Sequence, residues 1–191
     1  MSHSTTQLKK EFNKKEFKIG ASSAKVCGWY LISTLFFHTG LIPFSTILVF
    51  ILRLFGANIG KDVRIKPGIR IKYPWKLSVD DYSWLAACYI ENLEQVIIGK
   101  NVCVSQEAML LTGNHNYKTT SFDLITKPIV LQDGAWIGAK AVVCPGVTVA
   151  SHAILSVGSV ATRNMQPYII YQGNPAIQIR KRNFYKYCFI I

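Results

Sequence analysis

The chain has 191 residues, half of them hydrophobic, with 22 Lys and Arg against 10 Asp and Glu and a formal charge of +12. That length holds one well-buried domain plus an appendage and excludes a second full domain. The charge favours partners carrying phosphate or carboxylate, and its sign alone leaves nucleic acid, anionic lipid and a phosphorylated cofactor open.

Residues 1–55 read as a basic leader followed by an apolar helical cap. Lys9, Lys10, Lys14, Lys15 and Lys18 precede a long apolar stretch that has no clear small-residue cleavage site, an arrangement unlike a cleaved secretory signal. From Val26 to Leu52 no residue is charged, which by length alone meets the criterion for a membrane span. His38, Gly40 and Pro43 interrupt it, and Pro43 breaks or kinks a helix. Two short helices are therefore expected, either packed on the protein or lying in a membrane interface. Peripheral contact with the inner face of the cytoplasmic membrane and a merely solvated leader both account for the lysines. Cys27, Cys88, Cys103, Cys144 and Cys188 form an odd set with no C-x-x-C spacing, as expected of reduced thiols in a cytoplasmic protein.

Residues 56–182 carry the strongest signal, an aliphatic residue at every sixth position. One block runs Ile59, Ile65, Ile71, Leu77; a short one is Ile98, Val104, Leu110; the clearest is Leu131, Ile137, Val143, Val149, Leu155. Neither a helix nor an alternating strand has this period. Six residues suffice for a short strand and a turn, so three hexads close a triangular coil with one aliphatic pointing inward from each side. Stacked coils pair as parallel strands about 4.8 Å apart. The expected fold is thus all-β, a parallel β-helix built as a triangular hexapeptide-repeat solenoid. Between Leu77 and Ile98 the phase slips by three residues, which places a distorted coil near Ser83 to Asn92. A longer interruption after Leu110 predicts an extruded loop near 114–128, and such excursions are usually functional or disordered. Residues 183–191 form a C-terminal tail. Arg64, Arg70 and Lys76 share one repeat position and so make a ring around the prism, a poor template for a linear phosphate array. With no recognisable nucleic-acid module, nucleic-acid binding is not expected.

Of the four histidines, His115 alone lies where the regular coil meets the extruded loop, within T-G-N-H-N. Neutral imidazole is a suitable general base near pH 7. His3 falls in the leader, His38 in the apolar segment and His152 at a turn of the repeat. No metal site is expected, because His115 and His152 supply no third neutral nitrogen ligand, which argues against a zinc-dependent carbonic anhydrase.

The ordered set R-L-F-G-A-N-I-G-K, K-Y-P-W-K-L-S-V-D-D-Y-S-W, L-L-T-G-N-H-N-Y, K-P-I-V-L-Q-D-G-A-W-I-G-A, P-G-V-T-V and Y-Q-G-N-P-A resembles the hexapeptide-repeat acyltransferases, in particular the colanic-acid-type polysaccharide-biosynthesis O-acetyltransferases. The resemblance covers Leu54 to Arg182. It implies left-handed coiling, against the usual right-handed crossover preference. It further implies an acetyl-CoA-dependent O-acetyltransferase acting on a sugar hydroxyl of a cell-surface glycan precursor. His115 would be the general base for direct attack on the thioester. The group orienting His115 is left open between Asp123 and a backbone carbonyl, since Asn116 stands where relatives often carry aspartate. By the same resemblance Ala139, Val157 and Thr162 would line the pantetheine arm, Arg163 and Arg180 would meet the nucleotide phosphates, and the sites would lie between the subunits of a homotrimer. Arg180 to Arg182 also fit a solvated basic tail. Trp136 would either flank acetyl-CoA or cover a coil. Ser156, the V-A-S-H turn and Ala87 depart from the family pattern, at positions that bear on the acceptor. The rival of another class is a non-catalytic trimeric scaffold at a membrane-associated glycan-synthesis complex.

Overall fold

Each regular hexad lays down two residues of strand, the first outside and the second inside, as in Arg64–Ile65 and Trp136–Ile137, and then turns. A computed structural model describes Thr5, Thr6, Leu8 and residues 17–184. Lys9, Lys10, Lys14, Lys15, His3, Cys188 and the tail from 185 onward lie outside the described residues. The strands collect into three parallel sheets, the faces of a triangular solenoid. The first face contains Asn58–Ile59, Leu77–Val79, Val96–Ile98, Ile129–Leu131 and Thr148–Val149, so that Ile59, Val79, Ile98, Leu131 and Val149 stack in register. On the second face Ile65, Leu85, Val104, Ile137 and Leu155 stack. The third stacks Ile71, Ile90, Leu110, Val143 and Ala161. All are buried. Each aliphatic fully withdrawn from water stabilises by about 1.5–3 kcal/mol, which is why the hexad phase is held so strictly.

The corners need backbone that most side chains avoid. Asp62, Tyr82, Asn101, Gly134 and His152 all have positive φ, each three residues after the inward residue of the first face. Their amides continue the ladder from coil to coil, with Asn101 N–H donating to Asp81 O at 3.0 Å and His152 N–H to Asp133 O at 2.8 Å.

The irregularity lies partly where the sequence phase puts it, since the inward residues Leu85 and Ile90 are five positions apart, and partly outside that span. Ser83 to Leu85 are regular, with Ser83 buried and its hydroxyl donating to Gly99 O at 2.7 Å. The extra residues sit at two bends of one corner, a 3-10 turn at Pro74–Lys76 and the segment 92–95. Val79, not Leu77, is the partner of Ile59. A buried asparagine repairs the ladder there, because Asn92 accepts from Tyr73 N–H at 2.9 Å and donates to Tyr73 O at 2.6 Å. Lys76 is also buried, its ammonium donating to the carbonyls of Leu93 and Lys18. Burial lowers its pKa from the ordinary lysine value, opposed by Glu94.

After Met109–Leu111 the chain leaves the coil as an antiparallel hairpin, Gly113–His115 against Leu124–Thr126, and Ile129–Leu131 rejoins the first face. Lys127 N–H donating to Thr112 O at 2.9 Å closes its base.

Two helices plug the open N-terminal end, as solenoids require of a capping unit. Helix α1, Ser23–Ile32, starts at Ser22, whose hydroxyl accepts from Lys25 N–H at 3.3 Å, and continues as a π turn over Ser33–His38. Gly40 at φ +69° and Pro43 then prevent continuation, and α2 spans Ser45–Leu54. Leu48, Leu52, Trp29 and Phe37 are buried in the same core as the first coil. Arg53 donates to Ile59 O and Gly60 O at 2.8 and 2.7 Å, and Trp29 Nε1–H to Ile71 O at 3.0 Å. No helix among the described residues is long and apolar enough to cross a membrane. At the other end, Ile169–Gly173 joins the second face and Ala176–Lys181 folds back on it.

Candidate active site

His115 ends the first strand of the hairpin and is half-buried. Its backbone N–H donates to Asn114 Oδ1 at 2.8 Å, and its ring stacks on Phe122 with centroids 4.5 Å apart and planes 9° from parallel. Nδ1 lies 2.8 Å from Phe122 O. A carbonyl oxygen only accepts, so in the neutral ring the proton resides on Nδ1 and the lone pair on Nε2. Of the two orienting groups left open by the sequence, the backbone carbonyl is engaged, that of Phe122. Asp123 contributes through its main chain, accepting from Asn116 N–H at 2.8 Å, while its buried Oδ1 has no hydrogen-bond partner among the described residues.

The remaining sequence candidates fall on two corners and one outer strand. Ala139 and Val157 sit together on successive coils between the second and third faces, where Gly158 N–H donates to Ala139 O at 2.9 Å. Val157 is well exposed. Thr162 and Arg163 are exposed at the far edge of the third face, the same corner from which the hairpin carrying His115 leaves two coils earlier. Arg180 lies on the returning C-terminal strand opposite Ile170, exposed and away from both. One copy of the chain therefore does not gather all six candidates into a single pocket. Arg182 is a clamp: its guanidinium donates to Gly134 O at 3.0 Å and His152 O at 3.2 Å and packs over Phe184. His152 is a corner residue stacked on Tyr168, centroids 4.7 Å apart. Trp136 covers the second face, Nε1–H donating to Ser105 Oγ at 3.0 Å. Among the described residues no three His, Cys, Asp or Glu side chains converge.

Phe122 and Thr112 were not legible as site residues. Phe122 acts through its carbonyl and its ring face, and nothing in its residue type marks a main-chain acceptor seven positions from the histidine. Thr112 is fully buried at the hairpin base, donating to Glu91 O at 2.7 Å and accepting from Glu94 N–H at 3.0 Å. Its only sequence signal is a small polar residue directly before the excursion.

No family model matches the chain. The chain is 33% identical to WcaF, a colanic acid biosynthesis acetyltransferase of Escherichia coli strain K12, over 164 residues that cover 85% of this chain and 90% of that protein. Among solved structures it resembles the hexapeptide-repeat acetyltransferase VCA0836 of Vibrio cholerae, complexed with acetyl coenzyme A, with a TM-score of 0.79 at 19% identity over 90% of this chain and 95% of that one. The galactoside acetyltransferase complexed with coenzyme A gives 0.72 at 20% identity, covering 84% and 82%. Three faces of stacked hexads define the class, the β-helical acyltransferases. Within it, the chain belongs to the hexapeptide-repeat acetyltransferase family and is an enzyme of the acetyltransferase kind.

Proposed function

We propose that the protein transfers the acetyl group of acetyl-CoA to a sugar hydroxyl of a cell-surface glycan precursor, with Nε2 of His115 as general base. The observation that supports this reading is the 2.8 Å contact from Nδ1 to Phe122 O, which fixes the ring's orientation and, in the neutral ring, the tautomer whose basic nitrogen is Nε2. Nε2 takes the hydroxyl proton as the acceptor oxygen attacks the thioester carbon directly. The resulting tetrahedral oxyanion needs a donor aimed at it, a role for the amide of Ala139. Collapse breaks the carbon–sulfur bond, and the imidazolium returns its proton to the departing thiolate. No acyl-enzyme forms and atoms and charge balance.

Val157 and Thr162 are assigned to the pantetheine arm and Arg163 and Arg180 to the phosphates, where cations bind anionic oxygens most strongly. The split of these residues between two corners supports a homotrimer in which Ala139 and Val157 of one copy complete the site built around His115 of the next. Coenzyme A bound to the two neighbouring structures supports the donor, and the colanic acid and galactoside enzymes support a sugar acceptor.

The test is free-thiol release from acetyl-CoA with a panel of glycan precursors, comparing wild type with His115→Ala. General-base removal is expected to lower the rate about 10²–10⁴-fold. Equal rates remove His115 from the mechanism, and no release with any acceptor favours the non-catalytic scaffold. A monomer in sedimentation refutes the intersubunit site.

A further inference from the structure

We infer that the N-terminal helical cap is a docking surface for an anionic phospholipid bilayer. The sides of α1 and α2 that face the solenoid are accounted for by Trp29, Phe37, Leu48 and Leu52, all buried. The sides turned away are not polar. Leu31, Leu35, Leu41, Phe44, Phe50 and Leu54 are between 53 and 73% exposed, on the two helices and the link between them. On α2 the positions Ile47, Phe50 and Leu54 follow i, i+3, i+7 and so form one outward stripe opposite the buried Leu48 and Leu52. Large apolar side chains concentrated at one end of a molecule mark a contact surface, whereas singly scattered ones carry no such meaning.

The surrounding charge selects the partner. Between residues 17 and 61 there is no Asp or Glu, while Lys18, Lys25, Arg53 and Lys61 are present. The first coil directly beneath adds exposed Arg64, Lys66, Arg70 and Lys72, of which Lys72 is paired with Glu91 at 3.4 Å. The basic leader precedes this region in sequence. A second copy docked on the same face would bring this basic rim against itself, in a chain of charge +12. A bilayer with anionic headgroups supplies the opposite charge at the rim and hydrocarbon beneath the stripe, the two requirements of a helix lying in the interface plane. Neither helix spans, so the contact is peripheral. This inference stands on the cap alone and is independent of acetyl transfer. It would place the enzyme where a glycan precursor held on a lipid is within reach.

The test is co-sedimentation of the full chain with vesicles of phosphatidylcholine alone and of phosphatidylcholine with about one third phosphatidylglycerol, at about 0.1 M and about 1 M salt. Binding is expected only to the anionic vesicles, weakening at high salt. Phe44→Ser combined with Phe50→Ser, both at exposed positions, should lower the bound fraction about tenfold, since interfacial binding scales with buried apolar area. The melting temperature, the sedimentation coefficient in solution and thiol release with a soluble acceptor should be unchanged. If the double variant folds poorly, Leu54→Gln at the end of α2 serves in its place. Absence of binding to anionic vesicles, or equal binding by the variant, overturns the inference. A variant that changes the oligomeric state instead shows that the patch is a contact between copies, and overturns it as well.

Discussion

Gly138→Ala tests whether coil spacing, and not core burial alone, holds this solenoid. A Cβ at Gly138 would lie 2.6 Å from Val157 N and 2.8 Å from Leu155 O, both main-chain atoms of the next coil. Ordinary contact begins near 3.4 Å, so the coils must part locally by about 0.8 Å. That movement stretches two bonds of the corner, Gly138 N–H to Leu155 O at 2.8 Å and Gly158 N–H to Ala139 O at 2.9 Å. Overpacking and two weakened hydrogen bonds together predict a loss of about 2–4 kcal/mol, a fall in melting temperature of roughly 4–16 °C for a chain of this size. Gly158→Ala is the control. Its φ is +67° and its surroundings are open, so it carries only the left-handed backbone strain of about 1–2 kcal/mol. Both are read by thermal denaturation followed by circular dichroism at one protein concentration. If Gly138→Ala melts no lower than Gly158→Ala, the close approach of successive coils does not constrain the solenoid.

Thr112→Val removes the hydroxyl that accepts from Glu94 N–H and donates to Glu91 O beneath the hairpin; Glu91 O keeps the Thr112 N–H at 3.2 Å, so one part-buried donor loses its partner, at about 1 kcal/mol in denaturant unfolding. An unchanged midpoint would show that water replaces the hydroxyl. Cys88 is buried, and burial pushes its thiol up to about 12, while Cys27 is exposed. At about pH 8 a thiol reagent should label Cys27 in the native protein and Cys88 only after unfolding; rapid native labelling of Cys88 would contradict its burial. The same shift has a definite sign in stability. Between the ordinary thiol value and about 12, the folded state keeps a proton that the unfolded state has lost, so stability falls as pH rises through that window. Cys88→Ala should lack this part of the pH dependence in chemical denaturation at graded pH.

The inward residues of the regular coils were legible because burial requires them to recur at the period of the coil. Ile98, Val104, Leu110, Leu131, Ile137, Val143, Val149 and Leu155 are all on the core axis. Val79 and Ile90 were not legible as their counterparts in the second coil, since the bends at Pro74–Lys76 and 92–95 lengthen two steps, the step from Leu85 to Ile90 is one residue short, and a count of six then fails. The break between the helices was legible in Gly40 and Pro43, whose backbone limits are local.

The sequence by itself therefore determined the repeat, its interruption after Leu110 and the histidine at that junction, all properties of local pattern. Only the tertiary structure decided which atom orients that histidine, because Phe122 offers a carbonyl, a group every residue carries, and its use depends on the pairing of the two hairpin strands. Tertiary structure also decided that Ala139 and Val157 share one corner while Thr162 and Arg163 share the corner of His115, since corner assignment depends on register summed over every coil and its irregularities.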